Sequence, residues 1–461
     1  MKKYLSLFLE ALRGEEHNFT TGSINKAIFM LAVPSILEMS LESVFAVVDV
    51  SFVSRVGTDA VAVVGLTESV LTLVYSIAWG FSVAATAIIS RRIGENNEAG
   101  ASEAAGQVIV ISMILAVLIG VPCFIFAEDI LLAMGASASV IQDGLLFTKL
   151  MFASTPAIIL LYTLSGALRG AGSAAFAMRS LVVANVVNIL LDSVLVLGFL
   201  FFPKLGVVGA AVATSTGRTL GVLYQLRKLN DGSLPIRLTV QHLRPDWALI
   251  RKFLELAWGS TIQFIIASAS WVFLTRILSS FGSEVVAGYT IAIRIIIFTI
   301  LPSWGMANAA AALVGQNLGA NQPERAEQSA WRAAYLNTAF LALVAVVFFV
   351  FAPNLVALFT DKPLAIETGI GCLRVICLGY VFFANGMVLV QAFNGAGDTR
   401  TPTLMNLVCF WAIEIPLAYF LARELDFGPT GVFASVAISE SLMAIIAIIL
   451  FRRGKWKLVQ V

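Results

Sequence analysis

The sequence has few charged residues and long apolar runs in their place. Of its 461 residues, 13% are charged and 59% are hydrophobic, and the mean hydropathy is +0.90. Soluble proteins carry about 25% charged residues, so the composition argues against a large soluble helical protein. Apolar runs of roughly 20 residues recur along the chain, and each is long enough to span a hydrocarbon core. The formal net charge of +2 gives no indication of a nucleic-acid partner.

The chain also lacks the residue patterns of common catalytic and cofactor sites. Its four cysteines lie in apolar runs without a CxxC pair, and its two histidines, His17 and His242, lie outside those runs. We therefore expect neither a metal cluster nor a histidine-dependent nucleophile. No GxxxxGK[ST] sequence is present, which argues against ATP as the energy source within this chain. The sequence predicts that the protein is not an enzyme and needs no bound cofactor.

The sequence consists of two copies of one unit. Matching residues recur at a constant offset, and many are Gly, Trp or Asn, which chance matches between apolar stretches would not favour. The matching pairs include Ala32 and Ala257, Ser35 and Ser260, Gly57 and Gly282, Trp79 and Trp304, Gly80 and Gly305, Gly94 and Gly319, Asn96 and Asn321, and Gly170 and Gly395. In a membrane protein, such a duplication predicts a pathway between the copies.

The apolar runs predict an all-α membrane protein with twelve transmembrane helices. The expected spans are 27–54, 60–89, 104–127, 141–168, 179–202, 206–228, 250–280, 285–314, 329–352, 366–394, 403–423 and 430–451. They form two six-helix lobes, an N-lobe at 26–228 and a C-lobe at 250–451. An even number of spans per copy predicts a pseudo-twofold axis along the membrane normal, with a central cavity between the lobes.

The segments outside the lobes are polar. Residues 1–25 are expected to form an amphipathic segment on the membrane surface, with no cleavable signal peptide. A linker at 229–249 joins the lobes, and a basic tail follows at 452–461. Lys and Arg collect in the loops on one side of the membrane, which by the positive-inside rule places both termini in the cytoplasm. We expect a monomer in the inner (cytoplasmic) membrane, with the lipid bilayer and small organic substrates as its partners.

The first lobe carries acids and amides inside its predicted spans. An ionised Asp at the centre of a membrane helix costs about 2.5–3.5 kcal/mol, so such residues indicate function or pairing. In span one, spacings of four and seven residues place Glu38, Glu42 and Asp49 on one face of the helix. In span five, spacings of three and four place Asn185, Asn188 and Asp192 on one face. Glu68 lies in span two and Thr214 in span six.

Four of these residues are predicted to lie at similar depth. At about 1.5 Å per residue, Asp49, Asn188, Asp192 and Thr214 fall in the outer half of the first lobe. Two carboxylates with amide and hydroxyl oxygens could hold Na⁺, or a proton shared between the carboxylates. The alternative is a structural hydrogen-bond network, or pairing of the acids with buried arginine.

Two arginines and two further acids lie within the spans and are less easily assigned. Arg218 and Arg294 are the cations available for pairing, and Arg294 could instead reach Glu414 or Glu440 in the second lobe. We expect Glu38, Glu42, Glu68, Asn185 and Arg294 to line the cavity. Four prolines interrupt spans and predict bends, namely Pro34, Pro156, Pro302 and Pro416.

The motifs resemble those of the multidrug and toxic compound extrusion (MATE) transporters. The stretches that carry the resemblance are AGYTIAIRI…LPSWGMANAAAALVGQNLGANQPERA (287–326), IGENNEAGASEA (93–104), LRGAG (168–172) and FNGAGDTRTP (393–402). The resemblance covers about residues 25–450 and is nearest to the DinF-like branch. It implies two six-helix lobes around a V-shaped cavity, and export of amphipathic, often cationic, compounds in exchange for H⁺ or Na⁺.

The resemblance also implies roles for particular residues. Asp49 matches the first-helix carboxylate of the DinF-like branch, and Pro34 matches its kink proline. Asn188, Asp192, Thr214 and the backbone of Ala210 match the cation-site pattern of the family's first lobe. The carboxylates that the NorM-like branch places in helices seven and ten are absent, because the corresponding region offers Gln263, Ser268, Ser270 and Asn385. No family pattern accounts for Glu414 and Glu440.

The sequence therefore predicts a secondary antiporter that exports organic compounds by alternating access. The alternative is a flippase for lipid-linked precursors, which occurs in the same superfamily. A flippase would favour a basic cavity for pyrophosphate, whereas the first lobe is mainly acidic. The sequence identifies neither the substrate nor the coupling ion, because H⁺ and Na⁺ use the same oxygens.

Overall fold

The computed structural model of the chain describes residues 2–14, 19–198 and 204–461, and every long element in these ranges is a helix. The helices are α1 (Lys2–Arg13), α2 (Ile24–Val53), α3 (Thr58–Gly94), α4 (Glu98–Ile125), α5 (Ala127–Ala133), α6 (Ala138–Ala153), α7 (Thr155–Gly170), α8 (Ala174–Leu195), α9 (Val207–Asn230), α10 (Trp247–Ser279), α11 (Ser283–Gly319), α12 (Pro323–Ala357), α13 (Pro363–Cys377), α14 (Tyr380–Gly395), α15 (Arg400–Glu424) and α16 (Pro429–Arg452). His17 and the end of the predicted span 179–202 lie outside the described residues.

All twelve predicted spans correspond to helices. Nine single helices among the described residues are long and apolar enough to cross a membrane, and two bent pairs raise the number to eleven. The twelfth span is α9, a helix of 24 residues that is more polar than the others because it carries Thr214, Ser215, Thr216 and Arg218. Its polar residues face the interior of the N-lobe, as described below.

Two spans, one in each lobe, are broken rather than straight. α6 and α7 meet at 41°, and Pro156 stands at the start of α7, where it cannot continue the helix before it. α13 and α14 meet at 61° around Leu378 and Gly379, without a proline. Pro34 and Pro302, by contrast, lie inside the continuous helices α2 and α11. The predicted bend at Pro156 is thus present as a helix break.

Equivalent glycines bring the two lobes together by the same contacts. A Cβ at Gly80 of α3 would lie 2.6 Å from the backbone nitrogen of Thr261 in α10. A Cβ at Gly305 of α11 would lie 2.6 Å from the Cα of Ile36 in α2. Because neither position has room for a side chain, both helix pairs cross at backbone distance. The duplicated sequence therefore folds into duplicated interfaces.

The pseudo-twofold axis passes between α3 and α11. Trp79 and Trp304, which match in the two copies, lie with their ring centroids 6.3 Å apart. Toward the ends of the same helices, a Cβ at Gly319 would lie 3.0 Å from the Cα of Gly94. Asn96 and Asn321 then end the two turns with the same left-handed φ of 57°. The two lobes thus meet on the side that carries the basic loops.

The polar segment between the lobes packs against α4. The side chain of Gln107 donates to the carbonyl oxygens of His242 (2.9 Å) and Arg244 (2.8 Å), and it accepts from the backbone of Asp246 (3.0 Å). The Asp246 carboxylate in turn caps the start of α10. These bonds fix the point at which the chain passes from one lobe to the other.

Candidate functional site

The polar side chains of the N-lobe converge from α2, α8 and α9. Thr214 lies at the centre of this group, where its hydroxyl donates to Oδ1 of Asp49 at 3.5 Å. The same hydroxyl accepts a hydrogen bond from the amide of Asn188 at 3.1 Å. These contacts hold α2, α8 and α9 together and bring three of the predicted site residues into one chain of hydrogen bonds.

Asp192 lies one turn after Asn188 and is fully buried, with a relative exposure of 0%. Both of its carboxylate oxygens, and the amide oxygen of Asn188, are buried without a hydrogen-bond partner among the described residues. Asp49 and Asn188 are its electrostatic neighbours. Buried polar oxygens without donors are rare in folded proteins, and a cation or a proton would satisfy them.

Ala210, the fifth predicted site residue, lies one turn before Thr214 on α9 and is buried. No side-chain contact among the described residues brings its carbonyl group to the carboxylates. Within the same ranges, no group of three or more His, Cys, Asp or Glu side chains is arranged to hold a metal ion. The oxygen set therefore consists of two carboxylates with amide and hydroxyl groups, which suits a monovalent cation or a proton.

Arg218 supplies the positive charge next to this site. Its guanidinium donates to the Tyr75 hydroxyl at 2.8 Å and lies over the rings of Tyr75 and Phe45, at 5.4 and 5.9 Å from their centroids. Asp49 and Glu68 lie within its electrostatic reach. No carboxylate in the described ranges forms an ion pair with it, so one cation is shared by several acids.

Glu42 and Asn185 belong to the same region, and Glu68 lies at its edge. The Tyr162 hydroxyl donates to Oε1 of Glu42, and the Asn185 amide donates to the carbonyl of Leu41 at 3.2 Å. Together with Asn188, Thr214 and Arg218, Glu42 and Asn185 line a cavity with room for about one water molecule. This space fits a small ion or a proton and excludes an organic substrate.

Glu38 does not line this small cavity, and its expected place in the lining of the central cavity stays a prediction. It is 3% exposed and forms an ion pair with Arg169, whose Nη1 lies 2.6 Å from Oε1. Arg169 also donates to Ser82 at 2.8 Å. Arg169 was not expected as a partner of Glu38, because it lies next to a loop, where the positive-inside rule counts it as a surface charge.

Arg294 forms no hydrogen bond or ion pair with the N-lobe site among the described residues. It is exposed on α11, and no ion pair or hydrogen bond joins it to Glu414 or Glu440 in the part of the chain that the structure describes. Its expected pairing with those two acids is therefore not observed, whereas its expected place in the lining of the central cavity stays a prediction.

An aromatic cluster lies beside the site, at the boundary between the lobes. Trp79 is its central residue, with ring centroids 6.2 Å from Tyr75, 6.2 Å from Tyr162 and 5.5 Å from Phe264. Trp304 of the C-lobe completes the cluster. The two tryptophans hold matching positions in the repeated sequence, but a repeat by itself does not predict that they touch.

A duplicated bundle of membrane-spanning helices with a buried acidic site in one lobe defines a membrane transporter. A family model described as MatE matches residues 34–194 and again 260–420, once in each lobe. The two matches together span more than half of the chain, and the chain belongs to the MatE family. The resemblance found from the sequence motifs is thus confirmed at the level of the family, and the DinF-like branch stays a prediction.

Known relatives are similar along almost their whole length. The chain is 27% identical over 429 residues to the probable multidrug resistance protein YoeA of Bacillus subtilis, which covers 92% of this chain and 93% of that protein. It is 26% identical to the probable multidrug resistance protein NorM of Thermotoga maritima, with 98% and 96% covered. A solved MOP superfamily transporter from Pyrococcus furiosus superposes with a TM-score of 0.89 at 26% identity, with 96% and 98% covered. The twelve-helix, two-lobe membrane fold is thereby confirmed.

Proposed function

We propose that this protein is a secondary antiporter that exports amphipathic, often cationic, organic compounds in exchange for H⁺ or Na⁺. Relatives named as multidrug resistance and export proteins support the substrate class. The observation that carries the coupling is the buried group formed by Asp49, Thr214 and Asn188 beside Asp192, whose oxygens have no partner among the described residues.

The coupling ion would occupy the N-lobe. Asp49, Asn188, Asp192 and Thr214, with the backbone of Ala210, would supply oxygens to Na⁺, or Asp49 and Asp192 would share a proton. Either ion would add a positive charge among acids for which, in the described ranges, Arg218 is the neighbouring cation. The organic substrate would bind in the space between the lobes, because the N-lobe cavity is too small for it.

Binding of the ion would be linked to movement through α2. Asp49 and Pro34 lie on this one continuous helix, and Pro34 removes a backbone donor within it. A change in the bond between Asp49 and Thr214 would therefore alter the bend of α2 against α8 and α11. The protein would act as a monomer in the inner membrane, with both termini in the cytoplasm, as the distribution of Lys and Arg predicts.

The experiment that tests this function is transport in proteoliposomes. Export of a fluorescent organic cation is measured with an imposed pH gradient or an imposed Na⁺ gradient, for the wild type and Asp49→Asn. We expect one gradient to drive export in the wild type, which identifies the ion, and we expect the variant to lose driven export. Asp143→Asn, an exposed aspartate of α6, is the matched control and should transport normally.

Two results would contradict the proposal. Driven export that survives in Asp49→Asn would remove Asp49 from the coupling mechanism. Absence of driven transport in the wild type under both gradients would instead favour the lipid-precursor flippase, which assays with lipid-linked pyrophosphates would then test. Folding of each variant is checked by size-exclusion chromatography before reconstitution.

A further inference from the structure

The C-lobe contains two acids, Glu414 and Glu440, at positions that match two residues lining the N-lobe cavity. Helix α8 of the N-lobe can be aligned with helix α15 of the C-lobe, because the two helices make equivalent contacts. Asn185 donates to the carbonyl of Leu41 at 3.2 Å, and Trp411 donates to the carbonyl of Ile266 at 3.1 Å. Leu41 and Ile266 hold matching positions in the two copies. Three residues further along each helix, Asn188 therefore corresponds to Glu414.

Helix α9 of the N-lobe can be aligned with helix α16 of the C-lobe by the glycine that precedes each helix. Gly206 and Gly428 have nearly the same conformation, with φ 58° and ψ −133° in one and φ 56° and ψ −142° in the other. At the same distance along the two helices lie Arg218 and Glu440. The N-lobe thus has an amide and a cation where the C-lobe has two carboxylates.

Glu414 is held inside the C-lobe by helices from three directions. It is 4% exposed and accepts a hydrogen bond from the buried Ser270 of α10 at 3.1 Å. It is the last residue of a π-helical stretch, Leu407–Glu414, and such stretches often mark functional sites. Glu440 of α16 is its charged neighbour, with Oε2 buried and without a partner among the described residues.

A tyrosine hydroxyl provides a second, independent indication of a site. Tyr289 of α11 is 3% exposed, and its hydroxyl has no hydrogen-bond partner in the described ranges. It is packed between Trp271 and Phe433, with centroids 6.4 and 6.1 Å away, and Glu414 lies within its electrostatic reach. An unpaired buried hydroxyl next to an acid leaves a hydrogen bond available to a bound species.

No positive charge balances the two acids. The titratable groups that face them are Tyr289 of α11 and Cys409 of α15, and α10 contributes the neutral Ser270. No lysine, arginine or histidine forms an ion pair with either acid in the part of the chain that the structure describes. Two neighbouring carboxylates in a membrane interior cannot both remain ionised without a cation.

We propose that Glu414 and Glu440 form a second proton-binding site, in the C-lobe and separate from the site around Asp49. The two carboxylates hold at least one proton between them. Oε2 of Glu440 is buried and has no hydrogen-bond partner among the described residues, so it can accept this proton. Its use in transport rests on the proposed antiport function, whereas its binding rests on the geometry of the C-lobe alone.

Infrared spectroscopy of the protein in membranes tests the proposal directly, because a protonated carboxyl group has its own C=O band. The wild type, Glu414→Gln, Glu440→Gln, the double variant and Asp49→Asn are compared while the pH is raised. We expect a protonated-carboxyl component that is lost in the three C-lobe variants and kept in Asp49→Asn. Glu424→Gln, an exposed glutamate of the same helix, should leave the component unchanged.

A second measurement needs no variant and avoids failure of folding. A hydrophobic carbodiimide reacts with protonated carboxyl groups in apolar surroundings, and mass spectrometry of peptides identifies the labelled residue. We expect labelling of Glu414 or Glu440 at acidic pH and its loss at alkaline pH. An unlabelled pair, or equal spectra for the wild type and the double variant, would overturn the proposal, as would loss of the C=O component on adding Na⁺ at constant pH.

These outcomes are independent of the transport experiment. If Asp49→Asn retains driven export, the proposed coupling residue is wrong, yet the infrared component of the C-lobe still reports whether its proton exists. If driven transport and the infrared protonated-carboxyl component are both present, the variant with Glu414→Gln and Glu440→Gln is compared with the wild type. It should release about one proton fewer per protein when substrate binds, because the shared proton is missing.

Discussion

Single residues show that the two lobes build one contact from different chemistry. In the N-lobe, Arg169 forms a buried ion pair with Glu38 at 2.6 Å. The matching residues of the C-lobe are Asn394 and Gln263, which form a hydrogen bond between their amides at 3.1 Å. The same position is thus held once by two opposite charges and once by two neutral groups.

This difference predicts a rescue experiment. Arg169→Asn alone leaves Glu38 as an unpaired buried charge and should cost about 3–5 kcal/mol of stability. The double variant Glu38→Gln with Arg169→Asn reproduces the neutral pair of the C-lobe and should recover most of this loss. Stability is measured as the temperature at which half of the detergent-solubilised protein is lost from the folded chromatographic peak.

An exposed pair serves as the control for that experiment. Arg251 and Glu255 lie 3.5 Å apart with side chains that are 83% and 61% exposed, so Arg251→Asn should cost about 0–1 kcal/mol. If the double variant is no more stable than Arg169→Asn, then the guanidinium contact to Ser82 or the shape of the side chain, and not the charge pair, determines stability at this position.

The sequence predicted that Asp49, Asn188 and Thr214 lie together, and it did not predict the contact of Arg169 with Glu38. Helical spacing and depth brought Asp49, Asn188 and Thr214 together in advance, because positions three, four and seven residues apart share a face. Arg169 was missed, because a rule that counts basic residues in loops cannot distinguish a surface arginine from one that turns inward. In the second copy, the residue that matches Arg169 is the neutral Asn394. This comparison indicates that the position does not simply carry a surface charge.

At the scale of the helices, glycines allow two helices to cross at close distance. Gly315 and Gly319 have the GxxxG spacing that allows close helix packing, and a Cβ at Gly319 would lie 2.2 Å from the carbonyl oxygen of Arg91. Pro416 predicts a bend in α15, but no pattern in the sequence signals the π-helical turns of this helix or the 61° bend between α13 and α14. Neither involves a change in hydrophobic pattern, and the bend between α13 and α14 contains no proline.

The crossing of α3 and α11 provides a prediction at this scale. A Cβ at Gly94 would lie 2.0 Å from the carbonyl oxygen of Gln316, so Gly94→Ala forces the two helix ends apart. We expect weaker closure of the lobes on this side and a lower transport rate. Closure is measured by the reactivity of single cysteines introduced beside the crossing toward a membrane-impermeant maleimide.

A glycine of the same helix is the matched control. Gly65 of α3 is exposed and would have no atom within 4 Å of an added Cβ. Gly65→Ala should therefore leave reactivity unchanged and, as a helix-interior substitution, stabilise α3 slightly. Equal reactivity of Gly94→Ala and the wild type would mean that the helices can shift past the added methyl group, so that the close crossing does not hold the lobes together.

At the scale of the whole molecule, the duplicated sequence predicted the duplicated lobes, but it did not predict what joins them beyond the linker. Residues 452–461 were expected to be a basic cytoplasmic tail. Within this segment, Trp456 is fully buried and stacked on Phe451 of α16, with centroids 4.4 Å apart. One tryptophan among several lysines does not change the overall polarity of the segment. Composition alone therefore does not indicate that Trp456 is buried.

The tail connects the two lobes. Lys457 forms an ion pair with Glu327 of the C-lobe helix α12 at 2.6 Å, and the carbonyl of Val459 accepts from Arg91 of the N-lobe helix α3 at 2.5 Å. Under the proposed alternating access, the lobes would separate on this side. The contact between Arg91 and Val459 would then break, and its strength would set part of the balance between the two states.

Loss of this contact should shift the protein toward the state that is open on the side of the termini. Arg91→Met keeps the length of the side chain but cannot donate to Val459, so we expect a larger open population. The population is measured from distances between spin labels at positions 98 and 324, which are exposed at the starts of α4 and α12 in the two lobes. Lys455→Gln, an exposed residue of the same tail, should leave the distances unchanged. Identical distance distributions for Arg91→Met and the wild type would show that the tail follows the N-lobe without restraining it, and that the glycine crossing alone closes this side.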